Sequence, residues 1–229
     1  MDNTKLAERL LKIWQVPDFT KFFEKFSKKG PILIKKGTVL FNEGQPLDNL
    51  HFIKEGFVKL YRMSDQGRES TIYLYGPGQI LGVRALTSED ECAKHYAEAI
   101  TDLKIITISR KDYLAAVSLN PQYLVDLLHI FIDRLNYTER RLEGFVLTDT
   151  ITRVAFSLLD CAERFGVKKG QSVELPLELT HQRIAEFVGS FRETATLAMQ
   201  GLEKEGVIKM ARKKVTILDL NKLHQHAGL

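Results

Sequence analysis

Residues 179–206, LTHQRIAEFVGSFRETATLAMQGLEKEG, permit few folds. Thr180 stands just before a helical apolar pattern and suits an N-cap, whose side-chain oxygen accepts from a first-turn N–H. The spacing predicts a short helix over His181 to Val188, a turn at Gly189 and a longer helix to about Glu205. Ala185 and Gly189 lie four apart. A small residue there lets a second helix cross closely, and glycine tolerates the tight turn between them. Ile184, Val188, Ala195, Ala198 and Leu202 would form the shared core. The pattern is that of a helix-turn-helix, with Arg192 and Glu193 in the first turn of the second helix, where base edges are reached. Arginine can bond guanine O6 and N7 bidentately, and glutamate can accept from cytosine N4. Thr180, with a helix N-terminus behind it, suits a phosphate. Downstream, VIKMARKKVTIL reads as strand, basic turn at Arg212-Lys213-Lys214, and strand, a wing whose tip would follow a DNA backbone. The expected DNA contacts are Thr180, His181, Gln182, Ser190, Arg192, Glu193, Thr194, Thr196 and Lys213. A merely solvated helix pair would leave the cap, the Ala/Gly spacing and the basic wing as coincidences.

The rest of the chain has a different grain. Residues 31–110 carry short runs of alternating polarity, with Gly37, Gly44, Gly56, Gly67 and Gly78 at hairpin-like intervals. HFIKEGFVKLYRM reads as two strands around Glu55-Gly56, and YRMSDQGRESTIYLY as two more around Asp65 to Gly67. Many short strands at this spacing suggest an antiparallel sandwich or roll. With 229 residues there is room for two modest domains. A net charge of +4 permits a nucleic-acid partner without demanding one. Cys92 and Cys161, the only cysteines, form neither a disulfide framework nor a CxxC metal site and fit a reducing compartment. The N-terminal MDNTKLAERLLKIW is amphipathic and interrupted by charge, unlike a signal peptide, and no apolar run approaches the length of a membrane span. A cytoplasmic protein with no membrane partner is expected.

Asn120-Pro121 suits a helix start. Leu124, Leu128, Phe131, Leu135, Thr138, Leu142 and Phe145 then alternate steps of four and three, a heptad seam. Such a stripe either packs on its own domain or joins two copies. The flanking charges Asp133, Arg134, Glu139, Arg140 and Arg141 keep it narrow and favour a homodimer. Two-fold proteins read paired half-sites.

Three stretches carry a resemblance that covers nearly the whole chain. KKGTVLFNEGQPLDNLHFIKEGFVKLY resembles the first half of the sensor roll of the cyclic-AMP receptor protein/fumarate-nitrate regulator family, NPQYLVDLLHIFIDRLNYTERRLEGF its dimer helix, and LTHQRIAEFVGSFRETATLAMQGLEKEGVIKM its winged helix-turn-helix. The last is the most specific. The resemblance implies an α+β fold: an N-terminal antiparallel β-roll of the cyclic-nucleotide-binding, double-stranded β-helix type over residues 1–118 with N-terminal helices, a dimerisation helix over 119–147 and a winged helix-turn-helix over 148–229. It implies a homodimer that binds double-stranded promoter DNA at a palindromic site, touches RNA polymerase and acts as an activator or repressor. In the family the positions of Arg192 and Glu193 contact bases. An arginine often follows Glu193 by four residues, where this chain has Leu197, which suits a thymine methyl instead.

The sensor region departs further from the family. Members that bind cyclic AMP hold the ribose with a glutamate and the phosphate with an arginine-serine pair. Val83, Ala93 and Lys94 stand at those positions here, beside an acidic Glu89-Asp90-Glu91 loop that only Arg84 or Lys94 can offset. Thr138 alone matches, at the position that meets the adenine. Cyclic AMP is therefore not the expected effector. The cysteines that an iron–sulfur sensor needs are missing from the first ninety residues, and Cys92 with His95 is a weak haem pair in an acidic loop. No metal or cofactor is expected. His129 reads as a surface or pocket-lining residue, and His224 and His226 as solvated in a C-terminal tail. Arg134 and Glu139 match helix positions that line the pocket of a dicarboxylate-responsive family member, and LGVRAL resembles that member's pocket strand. Arginine grips a carboxylate bidentately; Arg134 as a simple flanking charge of the seam fits equally well. The expected effector pocket is Gly82, Val83, Arg84, Ala85, Lys94, Arg134, Thr138 and Glu139, for a small organic molecule. A constitutive regulator whose pocket is filled by side chains remains open. A regulatory subunit of an enzyme fits less well, because no nucleophile elbow, phosphate loop or metal-spaced histidines occur.

Overall fold

The computed structural model describes residues 19–228. The N-terminal amphipathic stretch lies outside the described residues. The chain separates into two compact units, and the boundary, between Leu135 and Asn136, falls inside the longest helix.

The first unit opens with helix α1 (Thr20–Phe26) and continues through eight short strands: β1 (Ile32–Ile34), β2 (Val39–Phe41), β3 (Asn49–Glu55), β4 (Val58–Met63), β5 (Glu69–Tyr75), β6 (Ile80–Leu81), β7 (Tyr96–Ala99) and β8 (Leu103–Ser109). A 3-10 turn, Val83–Leu86, follows β6, and α2 (Arg110–Leu119) follows β8. The strands make two four-stranded antiparallel sheets, ordered β1-β8-β3-β6 and β2-β7-β4-β5. The second expected turn is a true hairpin: β4 and β5 pair from Val58↔Tyr75 to Met63↔Glu69. The first is different. β3 pairs with β8 and β6, whereas β4 pairs with β5 and β7, so Glu55-Gly56 carries the chain from one sheet to the other. Gly56 has φ 89°, and a Cβ there would lie 2.2 Å from the Asp102 carbonyl oxygen, so no other residue fits the corner. Phe22, Phe23, Phe52, Ile106, Ile108 and Tyr113 bury the outer face of β3 and β8 against α1 and α2. Each large side chain so buried contributes about 1.5–3 kcal/mol.

The longest helix, α3 (Gln122–Leu147), starts as its sequence predicts: the Asn120 side chain accepts from the Gln122 N–H at 3.1 Å. Leu127 and Tyr137 are buried, while Leu124, Leu128, Phe131, Leu135, Leu142 and Phe145 are all exposed. Among the described residues, these side chains thus present an exposed apolar stripe rather than a buried one.

The second unit holds α4 (Thr150–Phe165), β9 (Val167–Lys169), β10 (Ser172–Glu174), α5 (His181–Val188), α6 (Arg192–Lys204), β11 (Ile208–Ala211), β12 (Lys214–Ile217) and α7 (Leu220–His226). Its sheet is antiparallel, ordered β11-β12-β10-β9. Asp149 caps α4, accepting from the Thr152 N–H at 2.9 Å, and that bond holds its carboxyl below the usual carboxylate range. One expectation is corrected here. His224 and His226 are not solvated in a tail: they lie on α7, which packs against α4 through the fully buried Leu223. The His224 Nε2 is buried without a hydrogen-bond partner, and desolvation lowers the pKa of the ring. His226 Nε2 lies 2.8 Å from Glu205.

Candidate nucleic-acid interface

The helix-turn-helix forms where its local signals place it. The Thr180 hydroxyl accepts from the Arg183 N–H at 3.1 Å, capping α5. Gly189 ends that helix with φ 60°, and the N–H groups of Gly189 and Ser190 both turn back to the Ala185 carbonyl. Ile184, Val188, Ala195, Ala198 and Leu202 are all buried, as the spacing requires of a shared core.

Two arginines take up the terminal carbonyls of α5. Arg141, on α3, donates to the Phe187 carbonyl at 2.6 Å. Arg153, on α4, donates to the carbonyls of Val188 at 3.3 Å and Thr148 at 2.9 Å. Cations at a helix C-terminus also oppose the negative end of its dipole. The Phe145 ring sits beneath both guanidiniums and against Gly189, where a Cβ would come within 2.9 Å of it. In the sequence Arg141 reads only as a flanking charge of the seam, and Arg153 is not singled out. Their partners lie 46 and 35 residues away, beyond any local pattern.

Arg192, Glu193 and Thr194 stand exposed in the first turn of α6, with Leu197 one turn further on. Gln182 is exposed and holds Glu186 at 2.9 Å, Thr196 is half-buried and bonds the Arg192 carbonyl, and His181 and Ser190 are half-buried. The basic turn is shorter than its sequence suggests, because Lys214 already belongs to β12 and pairs with Ala211. Arg212 and Lys213 make the turn alone, with φ 49° and 69°. Two left-handed residues in a two-residue hairpin are the territory of Asn-Gly, and side chains with a Cβ are strained there. The Leu179 N–H donates to the Lys213 carbonyl at 2.8 Å, so the wing turn is tied to the residue before the α5 cap. Exposed cations thus stand both at the β11–β12 turn and at the start of α6.

Among the expected effector-pocket residues, Val83 belongs to the apolar cluster with Phe22 and Tyr113, and Ala85 is fully buried. Gly82 has φ 85° and backs onto the Asn49 carbonyl. Arg84 makes two hydrogen bonds to Glu91, at 2.8 and 3.0 Å, and Lys94 stands 4.0 Å from the same carboxylate, so Glu91 of the acidic loop is paired by cations close to it in sequence. Arg134 stacks over the buried rings of Tyr73 and Tyr75, at 5.1 and 5.6 Å. Burial, then the charges of Arg134 and Arg62, lower the pKa of His95. Thr138 and Glu139 are exposed on the next turn of α3, in the second unit. His129 is exposed and Cys92 half-buried. Among the described residues, no single helix is long and apolar enough to cross a membrane.

Comparison with known proteins agrees with this geometry. The cyclic nucleotide-binding domain family matches residues 31–120, and the Crp-like helix-turn-helix domain family matches residues 152–226. A CRP-like cAMP-activated global transcriptional regulator of Mycobacterium tuberculosis is 30% identical over 197 residues, 86% of this chain and 88% of its own length. The global nitrogen regulator of a Nostoc species is 28% identical over 184 residues, 80% of this chain and 82% of its own. A solved CRP/FNR-family regulator from Thermus thermophilus aligns with a TM-score of 0.72 at 29% identity, covering 87% of this chain and 98% of that one. With both halves of the chain matched in order, the protein belongs to the CRP/FNR family of DNA-binding transcription regulators.

Proposed function

We propose that this regulator acts as a homodimer on a palindromic promoter site, reads each half-site with Arg192 and Glu193, and responds to something other than cyclic AMP. The observation that carries the reading is the exposed Arg192-Glu193 pair at the N-terminus of a helix whose opposite face is fully buried. The exposed seam of α3 supports the dimer, since family members of this build bind DNA as two-fold pairs. In this reading RNA polymerase is a further partner, and the protein is not an enzyme.

The Mycobacterium tuberculosis relative is a cAMP-activated regulator. Two features argue against cyclic AMP here. Val83 offers no acceptor for a ribose hydroxyl and is committed to the core, and the nearest arginine, Arg84, is held by Glu91. A small anionic organic effector that competes for Arg84 and Arg134 fits the charges better. The buried Tyr73–Tyr75 pair under Arg134 favours a second reading, in which the roll is filled by its own side chains and DNA binding needs no effector.

Selection from a random duplex pool with the full-length protein tests the first claim. A palindromic motif should emerge, and Arg192→Ala should bind it about 1–3 kcal/mol more weakly and relax the preference at one G·C pair. Calorimetry with cyclic AMP tests the second. Micromolar binding that also tightens the DNA complex would overturn it.

A further inference from the structure

A cavity of about 190 Å3 lies within the second unit, where the C-terminal end of α3 meets α4, the last turn of α5 and the residues that follow α7. The half-buried Arg140, Arg141 and Arg153 line it, with the exposed Glu143 beside them. Among the described residues, three positive charges against one negative leave a surplus of two, however these groups bond to one another. Phe145, Phe156 and Phe187 supply apolar walls. Gly144 also lines the space, from inside α3. Glycine is unfavourable in a helix interior. Neither backbone nor packing demands it here, since its φ is not left-handed and an added Cβ would meet nothing within 4 Å. A larger side chain at this position would stand in the cavity.

Pockets for drug-sized ligands run to roughly 300–1,000 Å3. At about 190 Å3 this one takes a single ring or a short chain and has no room for a nucleotide. The surplus of guanidiniums selects an anion, Glu143 disfavours a second negative charge on it, and the three rings select an apolar body. We propose that this cavity is an effector site for a small organic monocarboxylate with an apolar body, separate from the roll. Arg84 and Arg134 lie in the first unit and take no part in it. Arg141 is also the donor to the Phe187 carbonyl, and both residues line the cavity. A carboxylate that takes hold of Arg141 therefore acts on the last turn of α5, just ahead of the Gly189 turn into α6.

The test uses the full-length protein, with benzoate as the probe and benzyl alcohol, which keeps the ring without the charge, as its control. Saturation-transfer NMR should report saturable benzoate binding, with benzyl alcohol and Arg140→Gln each weakening it by about tenfold. Gly144→Leu should fold at least as stably as the parent in thermal unfolding and lose benzoate binding. Saturating benzoate should change the parent's affinity for the duplex recovered from the random pool by about fivefold or more, and leave that of Gly144→Leu as it was. Benzoate binding that survived Gly144→Leu would overturn the inference by placing the acid elsewhere. Equal binding of benzyl alcohol would overturn it by removing the arginines from the site. An absence of saturable binding, or a DNA affinity indifferent to bound benzoate, would overturn it as well. The NMR measurement contains no DNA, so its failure is distinct from a failure of the DNA reading.

Discussion

The Arg141 guanidinium, in the second half of the long helix, donates to the carbonyl of Phe187 in the last turn of α5 at 2.6 Å. Arg153 takes the next carbonyl, that of Val188, and reaches Thr148 at the end of the long helix as well. The C-terminal part of α3 is thus hydrogen-bonded directly to the first helix of the helix-turn-helix. Arg141→Met and Arg153→Met should each cost about 1–3 kcal/mol of stability by leaving buried carbonyls unpaired. Each should also weaken DNA binding. Thermal unfolding and duplex titration check this; a variant with parental stability and affinity would show the bond to be incidental.

Gly189→Ala meets two penalties. Its φ of 60° disfavours a Cβ, and that Cβ would stand 2.9 Å from the Phe145 ring. A loss of more than about 1 kcal/mol is expected. Adding Phe145→Ala should relieve only the steric part, so a double-mutant cycle on unfolding free energies separates the two.

The wing turn predicts a trade between stability and binding. Replacing Arg212-Lys213 by Asn-Gly should relax two left-handed residues and stabilise the fold by about 1–2 kcal/mol. The same change removes two cations, so the slope of log affinity against log salt should flatten by up to about two phosphate contacts. An unchanged salt slope would place the wing off the DNA.

Leu135 is 57% exposed within the subunit, so Leu135→Glu should leave the subunit folded. In a dimer it sets two like charges into an apolar seam, a costly burial without partners. Sedimentation should report monomers, and affinity for the two-half-site duplex should collapse. A dimer that survived would assign the stripe another role.

His51, on β3, pairs with Thr107 on β8 with its Nδ1 2.9 Å from the Thr107 hydroxyl, and burial lowers its pKa to about 4. The folded state therefore favours the neutral ring. Its contribution is complete above the unfolded value of 6.5 and is lost as pH falls from there toward 4. Unfolding free energy should decline over that window by about 1–3 kcal/mol more in the parent than in His51→Gln.

What the sequence determined by itself was whatever depends on near neighbours. The Asn120 and Thr180 caps, the left-handed Gly189, the buried Ile184–Leu202 set and the β4–β5 hairpin each arise within one short continuous stretch of chain, and they stand where the spacing placed them. The position of Arg192 and Glu193 follows from them, since the first turn of α6 is located once its helix start is. The tertiary structure alone decided that Glu55-Gly56 is a corner between sheets, because strand partners are chosen across the chain by β8 and β7 rather than by the turn. It alone docked α7 on α4 and buried the Nε2 of His224, through burial of Leu223 that a short polar-looking tail does not announce. It alone joined Arg141 and Arg153 to the end of α5. Helix periodicity places an arginine on a face, but a backbone carbonyl has no signature in sequence, and only the packed fold brings the two within hydrogen-bonding distance.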